Sequence, residues 1–226
     1  MRGSVADFDP SMQVTYYRST TVKEKIMPKN DALLVIDVQN DFCEGGALAV
    51  PRGSEVIAPI NEMLKHSDIN VFSQDWHPSD HSSFADVHPN KNPFEVISMA
   101  YGSQVLWPRH CVQGSEGAEF HKTLNVNTAQ LVVRKGFRAE IDSYSTFFEN
   151  DHTTVTGLHG YLTSRSVRSV TLVGLALDFC VYYSAMDARK LGYDVTVESH
   201  ACRAIDLDGS LDAALTQMKN AGVALK

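Results

Sequence analysis

The chain has 226 residues, enough for one sizeable domain or two small ones, and its 43% hydrophobic and 21% charged residues are typical of a soluble globular protein. The net charge of −7 argues against nucleic acid or an anionic membrane surface as a partner. No apolar run reaches membrane-spanning length and the amino terminus has no signal-peptide pattern, so we expect a cytoplasmic protein with no membrane partner. The four cysteines are widely spaced without a CxxC pair, which favours reduced thiols.

The first strongly patterned segment begins after residue 30. Residues 1–30 are interpreted as an N-terminal arm, and residues 31–226 as a single domain. The run 31–38, DALLVIDV, is almost continuously apolar, which is typical of a parallel strand buried on both faces. Asp37 near its end is a candidate site residue, because open α/β sheets bind ligands at the carboxyl ends of their strands. The alternative is that Asp37 only caps the following loop.

Helical and strand patterns alternate along the rest of the chain. Helices are predicted at 54–66, 118–124, 156–165 and 211–221, and strands at 69–73, 130–134, 169–173, 193–198 and 223–225. Pro59 delays the regular part of the first helix. This alternation predicts one α/β domain with a mainly parallel sheet. Neither a GxGxxG nor a P-loop motif is present, so a nucleotide site of either kind is not supported.

A candidate metal site lies in residues 74–84, QDWHPSDHSSF, after the second predicted strand. Asp75 and His77 lie two residues apart there, and His110 lies in the later segment WPRHC. A carboxylate and several imidazoles at this density suit a divalent transition metal. The alternative is a polar loop with surface histidines. The irregular stretch 85–106 is long enough to suggest a functional loop.

Cys180 follows the predicted strand 169–173 and falls in the first turn of the next helix, which Asp178 can cap. A thiol at the positive end of a helix dipole is expected to have a lowered pKa, and free N–H groups there can hold an oxyanion. The alternative is a packed, unreactive cysteine, since free cysteine is among the most buried residue types.

Asp37, Lys135 and Cys180 share one structural position, the carboxyl end of a predicted strand, so we expect them to meet at one edge of the sheet. There Asp37 can take the proton of the thiol, and Lys135 can stabilise both negative charges. An apolar wall for a small flat substrate is predicted from Phe42, Leu48, Trp107 and Tyr144.

Five segments together resemble the pyrazinamidase/nicotinamidase family of isochorismatase-like cysteine hydrolases. They are VIDVQNDFCEGGALAV, QDWHPSDHSSF, WPRHCVQGSEGAEF, RKG and VGLALDFCVYYSAMDARKLGYDV, in family order. The resemblance implies a three-layer α/β/α, Rossmann-like fold with six strands in the order 3-2-1-4-5-6. It implies a catalytic triad of Asp37, Lys135 and Cys180. It also implies an oxyanion hole from Ala176 and Cys180, after a cis peptide bond between Leu175 and Ala176.

The same resemblance implies a divalent metal ion, most often Zn²⁺, held by Asp75, His77 and His110. Ser83 and His81 are the open choices for a fourth ligand. In the family this metal takes the pyridine nitrogen of the substrate and bound waters. The substrate-binding residues implied are Phe42, Leu48, Trp107, Tyr144, Leu175 and Ala176.

The reaction implied is hydrolysis of the amide bond of nicotinamide to nicotinate and ammonia through a thioester, in NAD salvage, with pyrazinamide as a further substrate. Oligomeric state is left open, a homo-oligomer being one option. One alternative is another amidase of the superfamily, acting on a carbamoyl compound or a different aromatic amide. The other is a non-catalytic module that binds a metal or a small molecule, which the complete set of Asp37, Lys135 and Cys180 disfavours.

Overall fold

The computed structural model describes residues 31–226, and the predicted arm over residues 1–30 lies outside the described residues. The strands are β1 (Asp31–Ile36), β2 (Ile69–Asp75), β3 (Val96–Met99), β4 (Gly102–Val105), β5 (Leu131–Lys135), β6 (Ser169–Leu175), β7 (Asp194–Arg203) and β8 (Ala224–Leu225). The α-helices are α1 (Ile57–Leu64), α2 (Leu158–Ser164), α3 (Tyr182–Lys190) and α4 (Ser210–Asn220). Within the described residues, none of these helices has the length and hydrophobicity that crossing a membrane requires.

Six of the described strands form one parallel sheet in the order β5-β2-β1-β6-β7-β8. Numbered along the chain within this sheet, the order is 3-2-1-4-5-6, so the predicted topology is confirmed. The strand order reverses between β1 and β6, and a crevice opens beyond the carboxyl ends of strands at such a reversal. The remaining strands, β3 and β4, pair with each other as an antiparallel hairpin.

The two faces of the sheet carry separate hydrophobic cores, because alternate residues of each strand point to opposite sides. Leu34 and Ile36 of β1 belong to a core that includes residues of α2, α3 and α4. Leu33 and Val35 belong to the other core, which includes α1 and the loops above it. The protein therefore has the three α/β/α layers that the resemblance implied.

One predicted helix is absent from the structure, and one pair of strands was not predicted. The helix predicted at 118–124 is wrong: a single 3-10 turn, Glu116–Ala118, is followed by irregular chain. The Ala118 carbonyl accepts hydrogen bonds from the side-chain amides of Gln39 and Gln74, where a helix would use it internally. The β3–β4 hairpin was not predicted within 85–106, because its strands are short and mostly half-exposed or exposed.

Candidate active site

Polar side chains converge where β1, β2, β5 and β6 end, and Lys135 lies at their centre. Its Nζ atom lies 2.8 Å from Asp37 Oδ2, 2.5 Å from Asp75 Oδ1 and 3.3 Å from Cys180 Sγ. Donor atoms of the two carboxylates and the thiol lie within 4.8 Å of one another. All four residues are buried. The structure thus brings the three predicted catalytic residues together and adds Asp75 to their contacts.

The backbone turns sharply at Asp37, just beyond β1. Its φ angle of 47° lies in the left-handed region, which residues with a side chain rarely adopt. The carboxylate then accepts a hydrogen bond of 2.7 Å from the Ser73 hydroxyl of β2. Beside it, Gly174 of β6 approaches β1 so closely that a Cβ atom there would collide with the Ile36 carbonyl. This close packing fixes the spacing of the segments that carry Asp37 and Cys180.

Cys180 lies in a π-helical turn, Leu177–Val181, between β6 and α3. The predicted first turn of an α-helix is therefore corrected, since the regular helix begins only at Tyr182. The peptide bond between Leu175 and Ala176 is cis, as the resemblance implied. The oxyanion-hole role of the Ala176 and Cys180 N–H groups stays a prediction.

Asp178 does not cap this turn, contrary to the prediction. It lies inside the turn, and its carboxylate accepts hydrogen bonds from the Ile205 N–H (3.0 Å), the Asp206 N–H (2.7 Å) and the Ser210 hydroxyl (2.5 Å). These hydrogen bonds hold the loop after β7 against the turn that carries Cys180. They place Ile205 beside the cavity at the site.

Burial and charge oppose each other throughout this cluster. Burial raises the pKa of Asp37 above its usual value, and Lys135 offsets only part of the effect. Burial acts in the same direction on Asp75, but the charges of Lys135 and His77 outweigh it and hold the pKa of Asp75 well below its usual range. Burial alone would lower the pKa of Lys135, whereas the two carboxylates raise it well above normal. A protonated lysine therefore lies between two carboxyl groups of different acidity.

Burial also raises the pKa of the Cys180 thiol well above its usual value, with Lys135 acting in the opposite direction. The lowered thiol pKa expected from a helix terminus is therefore wrong for this resting site. Removing a thiolate from water costs more free energy than its attraction to the nearby Lys135 ammonium group provides. The thiol is neutral, and it needs a base in its immediate surroundings to react.

Asp75, His77 and His110 form a group suited to a metal ion. The Asp75 Oδ2 atom lies 3.5 Å from His77 Nε2 and 3.8 Å from His110 Nε2. The Nδ1 atoms of the two imidazoles face the backbone carbonyls of Gly136 (2.8 Å) and Pro108 (2.7 Å). A ring nitrogen facing a carbonyl carries the hydrogen, so both Nε2 atoms offer lone pairs towards Asp75. Three convergent nitrogen and oxygen donors fit a divalent ion.

The charge states of the two histidines agree with this interpretation. Burial lowers the pKa of His110 to about 4, so the imidazole is neutral at pH 7. Burial alone would lower the pKa of His77 as well, but the neighbouring Asp75 carboxylate raises it above its usual value. The carboxylate therefore favours a positive charge beside it. A bound cation would supply that charge in place of a proton on His77.

Neither choice for a fourth ligand belongs to this group. Both ring nitrogens of His81 have other partners, Nδ1 at 2.7 Å from Ser83 Oγ and Nε2 at 3.2 Å from the Ile141 carbonyl. Ser83 is thereby engaged with His81. The His81 ring packs against His77 with 4.3 Å between ring centroids. His81 thus packs against a candidate ligand, and residues 31–226 offer three protein donors at this position.

A narrow cavity joins the thiol to the metal-binding group. Its lining includes five of the predicted substrate-binding residues: Phe42, Leu48, Trp107, Tyr144 and Ala176. The Tyr144 hydroxyl is held by the Trp107 indole N–H (3.1 Å) and by the Gln104 amide (2.9 Å). The Phe179 ring packs edge-on against Trp107 with 4.9 Å between centroids. These contacts give rigid aromatic walls that suit a flat ring.

One residue predicted to line the cavity does not line it, and three lining residues were not predicted. Leu175 does not line the cavity, because it is the last residue of β6 and its side chain is completely buried in the core below. Asp142, Phe179 and Ile205 line it without having been predicted. Phe179 adjoins Cys180 in the sequence, which was an available signal. Asp142 and Ile205 lie in irregular segments where no periodicity indicates which side chains face inwards.

The family model described as Isochorismatase domain matches residues 31–225. A nicotinamidase from Acinetobacter baylyi is 51% identical over 194 residues, which cover 86% of this chain and 91% of that protein. The solved structure of a nicotinamidase/pyrazinamidase from Acinetobacter baumannii is 53% identical with a TM-score of 0.87, covering 88% of this chain and 96% of that one. A pyrazinamidase from Pyrococcus horikoshii, solved in complex with zinc, is 32% identical with a TM-score of 0.71, covering 87% and 98%.

Proposed function

The chain belongs to the isochorismatase family, and we propose that it is an amidohydrolase that converts nicotinamide and water to nicotinate and ammonia. The observation that carries this proposal is the contact of Lys135 with both Asp37 and Cys180, at a narrow aromatic cavity that also reaches Asp75, His77 and His110. A nicotinamidase 51% identical to the chain supports the choice of amide. The product is a precursor of NAD, so the reaction belongs to NAD salvage.

The first half of the reaction forms a thioester. Asp37 takes the thiol proton, and its burial-raised pKa makes it a stronger base than an exposed carboxylate. The Cys180 sulfur then attacks the amide carbon, and the Ala176 and Cys180 N–H groups stabilise the oxyanion that forms. As the carbon–nitrogen bond breaks, Asp37 returns the proton to the leaving nitrogen, which departs as ammonia. Lys135 keeps a positive charge beside Asp37 and Cys180 throughout.

The second half hydrolyses the thioester. Asp37 accepts a proton from a water molecule, whose oxygen attacks the acyl carbon. The carbon–sulfur bond then breaks, and the Cys180 thiolate regains the proton from Asp37. The acid that forms keeps the second proton of the water, loses it to solvent and leaves the cavity as nicotinate. The aromatic walls around Trp107 and Phe179 hold the ring in one plane during both halves.

We propose Zn²⁺ as the metal, held by Asp75, His77 and His110, because tetrahedral zinc sites use this combination of imidazole and carboxylate donors. A relative of 32% identity was solved with zinc, which supports the choice. When bound, the ion would supply a Lewis-acidic position that orients the substrate by its ring nitrogen. A single domain over residues 31–226 and a cytoplasmic location remain part of the proposal.

The test is ammonia release from nicotinamide by the purified protein, with pyrazinamide and benzamide assayed beside it. Benzamide has the same shape but lacks the ring nitrogen, so it separates a pyridine-specific enzyme from a general aromatic amidase. Release from nicotinamide and pyrazinamide with little from benzamide is the expected result. Equal rates on all three, or no release from nicotinamide, would overturn the proposed specificity.

A further inference from the structure

Gln39 is a completely buried glutamine that has no role in the reaction described above. Its side-chain oxygen accepts a hydrogen bond of 2.8 Å from the Asp75 backbone N–H. Its side-chain nitrogen donates to the Asp75 carbonyl at 2.8 Å and to the Ala118 carbonyl at 2.9 Å. One side chain thus holds both backbone polar groups of Asp75.

The sheet explains why Asp75 needs such a partner. The pairing of β1 with β2 ends at Val35 and Phe72, although β2 continues to Asp75. Beyond that point β1 is lost as a neighbour, because the chain turns at Asp37 and the Gln39 N–H bonds to the Asp37 carbonyl at 2.9 Å. The Gln39 amide then presents a donor and an acceptor to Asp75, as a backbone peptide of β1 would.

We propose that Gln39 is a positioning residue that holds Asp75 in register for the metal. The Asp75 carboxylate is divided between two tasks, with Oδ1 at 2.5 Å from Lys135 and Oδ2 facing His77 and His110. A small slide of the Asp75 backbone would change both sets of distances together. The hydrogen bonds of the Gln39 side chain all go to backbone groups, so it sets the place of the Asp75 carboxylate without bonding to it. This inference rests on the proposed metal site.

Gln74 provides a matched control. It is also buried, its side-chain nitrogen donates to the same Ala118 carbonyl at 2.9 Å, and its oxygen accepts from Arg134. Its side chain makes no hydrogen bond to Asp75. Gln74→Met therefore removes one bond to Ala118 and the bond from Arg134, whereas Gln39→Met removes the other bond to Ala118 and both bonds to Asp75.

The experiment measures zinc retention by the full-length protein. Wild type, Gln39→Met, Gln39→Asn and Gln74→Met are loaded with Zn²⁺ and dialysed against graded concentrations of a chelator, and the remaining metal is measured by elemental analysis. The melting temperature of each protein is recorded in parallel. Gln39→Asn keeps a polar amide in the core, but its shorter side chain cannot reach both groups of Asp75, so it tests the same bonds with less risk to folding.

We expect both Gln39 variants to release zinc at chelator concentrations about 10- to 100-fold lower than wild type, the range for loss of residues that orient metal ligands. Gln74→Met is expected to retain zinc as wild type does. Wild-type retention in both Gln39 variants, or an equal loss in Gln74→Met, would overturn the positioning role. A wild-type protein that holds no zinc would instead overturn the metal site and, with it, this inference.

Discussion

Replacing Lys135 by methionine tests whether one ammonium group sets the charge of the whole site. The side chain is only 1% exposed and contacts both carboxylates and the thiol. Methionine keeps most of the apolar stem but leaves Asp37 and Asp75 without their shared cation. Two negative charges within 4.8 Å of each other repel by about 3.5 kcal/mol or more at an effective dielectric constant of about 20. This energy equals about 2.5 pKa units.

Asp37, whose pKa burial already raises, is therefore expected to hold a proton at neutral pH in the variant. A protonated Asp37 cannot take the thiol proton, so kcat should fall about 300-fold, the factor that corresponds to this repulsion. The melting temperature should fall only slightly, because a proton taken up by Asp37 removes the repulsion between the two carboxylates. Steady-state ammonia release measured against pH should show the acid limb of the kcat profile moved to higher pH.

Lys135→Arg is the matched control, since it retains the charge but replaces a compact ammonium by a planar fork. It should recover part of the activity and leave the acid limb near its wild-type position. Zinc content is measured in every sample, because Asp75 also contacts Lys135. A Lys135→Met protein with an unchanged acid limb and kcat within about tenfold of wild type would refute the electrostatic reasoning.

Cys180→Ala is expected to abolish ammonia release while zinc content and melting temperature stay at wild-type values; turnover near the wild-type rate would exclude the thiol as nucleophile. Chelation should remove activity, and added Zn²⁺ should restore it. Normal turnover by protein shown to be metal-free would mean that catalysis does not need a metal bound by Asp75, His77 and His110. Burial raises the pKa of the Cys202 thiol to about 12, so the unfolded form ionises first and stability falls as pH rises from about 9 towards 12. Between pH 8 and 10 this thiol should account for a loss of about 1 kcal/mol, and equal losses in wild type and Cys202→Ala on urea unfolding would contradict it.

The parts of the fold that the sequence predicted are those with a local physical signature. The buried run that ends near Asp37 has such a signature, because a strand covered on both faces leaves no polar alternation. The strand order came from the resemblance, since periodicity alone does not say which parallel strands are neighbours. The helix predicted at 118–124 failed because distant glutamine amides use the Ala118 carbonyl, a contact that no local pattern reveals.

The candidate site also has parts that local sequence predicted and parts that it did not. Asp37, Lys135 and Cys180 were predicted from strand ends, and the structure places them in contact. The direction of the Cys180 pKa was wrong, because burial depends on everything packed above the thiol and not on its place in a helix. The side chains of Asp142 and Ile205 reach the cavity from loops whose course is set by tertiary contacts, such as the bonds to Asp178. Local sequence carries little information of that kind.

Within residues 31–226, the strand β5 forms one edge of the sheet and pairs only with β2. It ends in Lys135, and the next residue, Gly136, supplies the carbonyl that orients His77. Edge segments tend to open locally at a lower free energy than the centre of a sheet. If the carboxyl end of β5 separated briefly from β2, Cys180 would lose its contact with Lys135 and His77 would lose its contact with the Gly136 carbonyl at the same moment. Inactivation by mild denaturant should therefore precede global unfolding, with amide hydrogen exchange in β5 faster than in β1 and β6.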